Sequence, residues 1–268
     1  GAVSQTIGNW VVECGGSQWL APTFQDTLDM ATGNYDSAGM EVDEGSTAMY
    51  NGFFLKDTEN AKATFACSYA NKVQPGTTFV YHTSDTYLLG RAMNMYYRFK
   101  SGDSSADYFD DVMVKDVYAP LGLSPTAEDT QRTQDAASQP YTGYGMVYVR
   151  DDVVKLADLL NEDQGKIDGA QVLDAGMVAS TLHLGSGGLA AGSAADRYHN
   201  AFWYYDLDQD SHNFGCSAAK WVPYMSGFGG ISVVLFPNGM TYYNFSDGDG
   251  LTWIATAIEL DKIAPMCP

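Results

Sequence analysis

The spacing of apolar residues changes character along this chain. Within residues 23–30, Phe24, Thr27 and Leu28 fall on one side of a short helix that Thr23 can cap. Thr32-Gly33-Asn34 then reads as a helix end and turn. Pro75-Gly76 marks another turn, followed by the short apolar stretch Thr78-Phe79-Val80-Tyr81. The strongest helical pattern comes next, with Tyr87, Leu88, Gly90, Arg91, Ala92, Met93 and Tyr97 recurring at i, i+3, i+4 and i+7 and Thr83 or Ser84 as the cap. Residues 104–117 predict a second amphipathic helix, ending at Tyr118-Ala119-Pro120-Leu121-Gly122. Residues 151–161 predict a third, with Val153, Val154, Leu156, Ala157, Leu159 and Leu160 on its inner side.

The C-terminal part reads as strands. Trp203-Tyr204-Tyr205, Ile231-Ser232-Val233-Val234-Leu235-Phe236 and Met240-Thr241-Tyr242-Tyr243-Asn244-Phe245 are β-rich, and Pro237-Asn238-Gly239 between the last two is a hairpin turn. Residues 251–263 predict a closing helix. Helices first, then an antiparallel meander and a terminal helix, make an α+β pattern. The expected organisation is one domain over residues 1–268, mainly helical over 19–195, with the meander and terminal helix over 196–268.

Length and charge narrow the picture. A chain of 268 residues is one large domain or two small ones, and it has no apolar run of the ~20 residues that span a bilayer. Gly1-Ala2-Val3-Ser4-Gln5 has neither a basic nor an apolar leader region, so any signal peptide is expected to have been removed. Fourteen Lys and Arg against 33 Asp and Glu give a net charge of −19. Such a surface repels phosphate backbones, which argues against DNA, RNA and anionic membranes as partners. It suits a secreted or salt-exposed protein kept soluble by its charge.

The four cysteines, Cys14, Cys67, Cys216 and Cys267, are widely spaced, with no CxxC or Cys/His cluster that would hold zinc. Two disulfides in an oxidising compartment, secreted or periplasmic, fit that count, as do four buried thiols. Three pairings are open; Cys14–Cys67 and Cys216–Cys267 are expected because each pair lies within one end of the sequence.

Several runs then match a known order of motifs. Thr23-Phe24-Gln25-Asp26-Thr27-Leu28-Asp29-Met30-Ala31-Thr32-Gly33 looks like a segment leading into "LLxMxSG". Gln74-Pro75-Gly76-Thr77-Thr78-Phe79-Val80-Tyr81-His82-Thr83-Ser84-Asp85-Thr86-Tyr87-Leu88-Leu89-Gly90 looks like "PGxxFxYSNxxYxLLG", the most specific of them. Tyr118-Ala119-Pro120-Leu121-Gly122-Leu123 is similar to the "PLGM" that follows. Residues 143–160, then Gly165, Gly169 and Gln171-Val172-Leu173, resemble the helix and loop after the rim. Met225-Ser226-Gly227-Phe228-Gly229-Gly230-Ile231 with Pro237 looks like a third-motif strand. In this order, over residues 3–260, the chain resembles the serine β-lactamases, the penicillin-binding proteins and related esterases and amidases. Within that group it is most similar to the esterase-like and 6-aminohexanoate-oligomer hydrolase-like branch. The resemblance implies a β-lactamase/transpeptidase-like fold, an antiparallel sheet flanked by helices plus a helical subdomain.

Acyl transfer by a serine needs a hydroxyl deprotonated at neutral pH, a base for its proton and N–H donors for the oxyanion. In this family a Ser-x-x-Lys turn supplies serine and lysine, and a second-motif tyrosine relays the proton. A phenol with an ordinary pKa near ~10 acts as a base only beside a strong positive charge. The resemblance puts Tyr81 in that role, just before a helix N-terminus. Thr83 stands where the family commonly has Asn, as a substrate or lysine contact, which argues against β-lactam hydrolysis. His82 between them is read as a bystander or a rim residue, not a catalyst. Ser226-Gly227 replaces Lys-Thr-Gly, removing the cation that grips a substrate carboxylate. Together with Phe228, whose neighbourhood could supply an oxyanion N–H, this pair is expected to line the acyl pocket.

The family's Ser-x-x-Lys lies upstream of every matched run, so this chain is expected to begin after the nucleophile, which would lie on another segment or chain. Ser217-Ala218-Ala219-Lys220 is a formal match in the wrong place, and Pro223 close behind it is hostile to a helix. Ser186 is not in a G-x-S-x-G elbow. Asp206-Leu207-Asp208-Gln209-Asp210-Ser211 alternates carboxylates like a calcium loop but lacks the sixth-position Gly and twelfth-position Glu, and reads as a solvated acidic loop. Asp247-Gly248-Asp249-Gly250 reads as a turn. The expected function is hydrolysis of a small-molecule ester or amide through an acyl-serine, with no cofactor and no metal, the isolated chain being inactive. The alternatives are a non-catalytic ligand-binding module on the same fold and a D-Ala-D-Ala peptidase or β-lactamase.

Overall fold

The computed structural model describes residues 2–185, 187–217, 220–246, 248 and 253–267. The chain divides into two compact units, Gly1–Val149 and Arg150–Pro268. The helical stretch read over 19–195 therefore runs across both.

The first unit is built around three helices, α1 (Phe24–Leu28), α2 (Glu59–Ala66) and α3 (Thr83–Ser101). Thr23 caps α1 through a reciprocal box, its hydroxyl accepting from the Asp26 N–H while the Asp26 carboxylate accepts from the Thr23 N–H. Thr58 caps α2 in the simpler way, through the Ala61 N–H. The 19 residues of α3 end at Gly102, whose φ of 73° takes the left-handed conformation that closes a helix at low cost. Inside α3, Gly90 permits a close approach: a Cβ there would collide with the Thr142 side chain.

The apolar faces of α1, α2 and α3 meet Ile7, Val11 and Trp19 in one core, which the Cys14–Cys67 disulfide staples. The Trp19 indole N–H donates to the Cys67 carbonyl at 3.0 Å, so the largest core side chain leaves no orphan donor. Arg91 crosses the top of this core between two carboxylates, Glu13 and Glu59, each at 2.6 Å. The helix expected over 104–117 begins only at Phe109 and is wound as a π-helix to Tyr118. Upstream, the Asp103 carboxylate accepts from the N–H and hydroxyl of Ser105, and Asn94 accepts from the Tyr108 N–H. Those side chains offer the backbone a turn in place of a helical start.

The second unit is a six-stranded antiparallel sheet in sequential order, β3 (Leu189–Ala190), β4 (Asp196–His199), β5 (Phe202–Asp206), β6 (Trp221–Gly227), β7 (Ile231–Leu235) and β8 (Thr241–Asn244). A minimal hairpin, β1 (Lys166–Ile167) with β2 (Ala170–Gln171), precedes it. Helices α4 (Arg150–Asn161), α5 (Ala175–Leu182) and α6 (Trp253–Asp261) pack on its strands. The helix expected over 251–263 is α6; Leu251 and Thr252 lie outside the described residues. Val222, Val234, Phe236, Trp253, Ala257 and Met266 form the core, with Trp253 against the rings of Tyr205, Tyr224 and Phe236. Asn161 donates to the carbonyls of Phe236 and Met240, tying the end of α4 to the Pro237-Asn238-Gly239 turn. The Cys216–Cys267 disulfide fixes the chain end to the segment before β6. Among the described residues, no helix is long and apolar enough to cross a membrane.

Candidate functional site

Tyr81 and Thr83 lie at the N-terminal end of α3. Residues 78–81 carry no strand pairing among the described residues, but the Val80 N–H donates to the Met30 carbonyl, which holds the segment beside the end of α1. The N-cap of α3 is His82, with extended backbone (φ −140°, ψ 114°) and no capping bond from its side chain. A distant residue supplies the cap. Glu44 accepts the Thr83 N–H through Oε2 at 2.8 Å and the Thr83 hydroxyl through Oε1 at 2.6 Å. A carboxylate at this position is favoured by the helix dipole as well as by the two bonds. Neither Thr83 nor Ser84 acts as the cap.

The loop over 36–46 that carries Glu44 is held by its neighbour. The Asp43 carboxylate accepts from the backbone N–H of Asp36 and Ser37 and pairs with His82 Nε2 at 3.0 Å. His82 is stacked on Tyr69, with ring centroids 4.6 Å apart, and is fully buried. This corrects its expected place at the rim: a buried Asp43 and the Tyr69 ring together draw the imidazole inward. Burial holds His82 below the usual imidazole range, with the Asp43 bond opposing.

The electrostatics around Tyr81 are negative. Burial, and then the charge of Glu44, push its phenol up to about 12, while a hydrogen bond with Thr83 pulls the other way. A phenol at that value stays protonated at neutral pH. Burial likewise raises the Glu44 carboxyl, opposed by the Thr83 bonds. Tyr69 and Tyr144 are raised too, mainly by burial, and both feel the Glu44 charge. Asp85, in the first turn of α3, is short of partners. It is 1% exposed, its Oδ2 accepts one long bond from Thr32 (3.3 Å), and its Oδ1 has no partner. Burial raises its carboxyl well above the usual range. His82 Nδ1, also without a hydrogen bond, is 3.9 Å from Asp85 Oδ1, too far to satisfy either.

Lys62 is a group that the sequence pattern does not single out. It is fully buried on α2, with Nζ donating to the Phe53 carbonyl at 2.9 Å and the Tyr144 hydroxyl at 2.7 Å. The rings of Phe53, Tyr141 and Tyr144 surround the ammonium, with centroids 4.5–5.4 Å away. Burial lowers its pKa to about 8, against the charge of Asp57.

The other expected site residues belong to the second unit. Ser226 and Gly227 end β6, paired with Ser232 and Ile231 of β7. Phe228 is fully exposed on the connecting turn, where Gly229 and Gly230 take φ values of 85° and 92° that favour glycine. The register of β5 with β6 stops at the Trp203–Tyr224 pair. Met225, Ser226 and Gly227 therefore run on with β7 on one side and, among the described residues, no strand on the other. A strand edge of this kind can accept an extended ligand backbone.

The remaining motifs are spent on structure or fall outside the description. Asp206 accepts from the N–H groups of Asp208 and Lys220, and Asp210 from the His212 N–H, so these carboxylates shape their own loop. Lys220 leads directly into β6, and Ala218 and Ala219 of the Ser-x-x-Lys match lie outside the described residues, as do Ser186, Asp247, Asp249 and Gly250.

No family model matches the chain, and no curated protein matches it by sequence. Solved structures do. A Bacillus anthracis protein provisionally named a 6-aminohexanoate-dimer hydrolase superposes on 97% of this chain and 65% of its own, with a TM-score of 0.68 and 16% identity. A penicillin-binding protein from Bacillus halodurans matches over 96% of this chain and 78% of its own (TM-score 0.58, 17% identity). A class C β-lactamase mutant matches over 97% and 75% (TM-score 0.58, 14% identity). The chain thus spans just under two-thirds of the length of the first of these proteins. It has the β-lactamase/transpeptidase fold.

Proposed function

On that fold, we propose that the chain is the larger part of a serine hydrolase acting on a small ester or amide, its nucleophile supplied by a segment outside Gly1–Pro268. The single observation that carries this reading is the Tyr81-His82-Thr83 turn at the start of α3, where the Thr83 hydroxyl donates to Glu44 and the charge of that carboxylate bears on the Tyr81 phenol. A serine hydroxyl would attack the substrate carbonyl while its proton passes to a deprotonated Tyr81. The tetrahedral intermediate would then expel an alcohol or amine that takes the same proton back, and water would cleave the acyl-serine by the reverse exchange. Tyr81 can play this part only when an ammonium is brought against it, because at about 12 the phenol is a poor base at neutral pH. Thr83 would contact the substrate or that ammonium, and Ser226, Gly227 and Phe228 would line the acyl pocket. Two disulfides support an oxidising setting, periplasmic or secreted.

The raised phenol also favours a second reading for the chain by itself: a ligand-binding module that performs no acyl transfer. The test is labelling of the complete protein with a fluorophosphonate or penicillin probe, followed by mapping of the modified residue. A labelled serine within a Ser-x-x-Lys pair supports the hydrolase. Absence of any labelled serine leaves the binding module.

A further inference from the structure

We propose that the Tyr144 hydroxyl, held by the buried Lys62, is a hydrogen-bond donor for a ligand and takes the uncharged carbonyl oxygen of an ester or amide. The inference rests on the reading of the start of α3 as the ligand site, and adds to it a binding residue, Tyr144, and a positioning residue, Lys62.

Printed side-chain contacts within the first unit fix where Tyr144 stands. The Thr86 hydroxyl donates to the Thr83 carbonyl at 2.7 Å and, more weakly, to the Thr142 carbonyl at 3.3 Å. The Thr142 hydroxyl donates back to the Thr86 carbonyl at 2.7 Å. Gly143, with a φ of 84°, lies so close to Thr86 that a Cβ there would collide with its side chain. The loop that carries Tyr144 is thus seated on the first turn of α3, beside Thr83. The Tyr144 ring is in turn packed by Tyr141, Phe54 and Phe53, with centroids 4.8, 5.6 and 5.9 Å away.

The direction of its proton follows from Lys62. An ammonium has donors and no acceptor. Lys62 Nζ donates to the Phe53 carbonyl at 2.9 Å and to the Tyr144 oxygen at 2.7 Å. The Tyr144 oxygen is therefore the acceptor in that bond, and its own proton points elsewhere. Among the described residues nothing accepts that proton, and Tyr144 is only half-buried where Lys62 is fully buried. A hydroxyl that accepts from a cation is a stronger donor for it. What it can take is an acceptor oxygen. The net charge of −19 and the Glu44 charge that bears on this phenol disfavour an anion, which leaves a neutral carbonyl.

The same pair sets the pH at which the donor is lost. Once Lys62 loses a proton, near 8, its amine can keep the Phe53 bond and accept the Tyr144 proton, turning the phenol inward. The groups around Lys62 are the Tyr141 and Tyr144 phenols, the Phe53 ring, Tyr87 against Phe53 and Tyr141, and the charge of Asp57. Burial raises all three phenols, away from that range.

The test is titration of ¹⁵N-labelled protein with acetanilide and with N-ethylaniline, which has the same ring and chain but no carbonyl, following the Gly143 and Gly145 amides. At pH 7 acetanilide should give a saturable shift, with N-ethylaniline at least about tenfold weaker. Tyr144→Phe should weaken acetanilide about tenfold and leave N-ethylaniline unchanged. Moving the unsubstituted protein to about pH 9.5 should weaken acetanilide by a similar factor, and Tyr144→Phe should show no such pH dependence. An unchanged thermal midpoint confirms the fold of the variant, and if it does not fold the pH comparison decides alone. No saturation by acetanilide, equal binding of N-ethylaniline, full affinity in a folded Tyr144→Phe, or an affinity flat between the two pH values would each overturn the inference. The hydrolase reading fails on a different result, the absence of any labelled serine in the complete protein, and carbonyl binding through Tyr144 would stand without it.

Discussion

Replacing Asp85 by asparagine should stabilise this protein, and the gain should depend on pH. Asp85 is 1% exposed, accepts a single 3.3 Å bond from Thr32 and has one oxygen without a partner. A buried, unsatisfied polar group costs about 1–3 kcal/mol, and more when charged. In Asp85→Asn the new side chain would keep the shape and the Thr32 acceptor, carry no charge, and place an amide donor near His82 Nδ1. At pH 8 the substitution should therefore stabilise by about 2 kcal/mol, which is roughly 4–8 °C in thermal midpoint for a chain of this size. The direction with pH follows from the raised carboxyl. The fold favours the protonated form, so the wild-type residue contributes stability below its unfolded pKa near ~4 and loses it as pH rises through its folded value. The variant's advantage should accordingly vanish near pH 4 and be larger at pH 8. Scanning calorimetry of both proteins at the two pH values is the assay. A variant less stable at pH 8, or one equally stabilised at both, would refute the reasoning by showing that ionised Asp85 is compensated.

Three further outcomes can be checked. Arg91→Met should destabilise by about 3–5 kcal/mol in urea, since it strands the Glu13 and Glu59 carboxylates that share the guanidinium; a loss under about 1 kcal/mol would contradict that role. Lys62 should titrate near 8 when followed through its side-chain carbon by NMR, well below an exposed lysine. With its folded pKa below the unfolded one, Lys62 adds stability as pH rises from about 8 towards 10, until the raised phenols of Tyr81 and Tyr108 reverse the trend above 10. A Lys62 midpoint above 10 would rule out the desolvated environment.

What the sequence made legible was what neighbouring residues decide. The start of α1 at Thr23, the long α3 and the Pro237-Asn238-Gly239 hairpin each rest on spacing and turn chemistry within a few residues. The features missed depend on contacts between distant segments. The cap of α3 comes from Glu44, 39 residues away, because an acidic loop residue at that separation leaves no local pattern. Nothing beside Lys62 in the sequence marks it, because Phe53, Tyr141 and Tyr144, whose rings surround its ammonium, lie far from it along the chain or outside any helical spacing with it. The late start of the helix at Phe109 reflects competition from Asp103 and Asn94 for backbone donors, which periodicity does not register. Tyr81 and Thr83 were singled out through a contiguous motif, whereas Glu44, which accepts both bonds from Thr83, lies outside it.

The central claim is that the phenol of Tyr81 carries a proton in acyl transfer, and one measurement bears on it most directly: nitrophenyl-ester turnover by the complete protein with Tyr81→Phe. Loss of the proton carrier should cut turnover by at least about a hundredfold at an unchanged thermal midpoint. Near-normal turnover in the variant would contradict the claim.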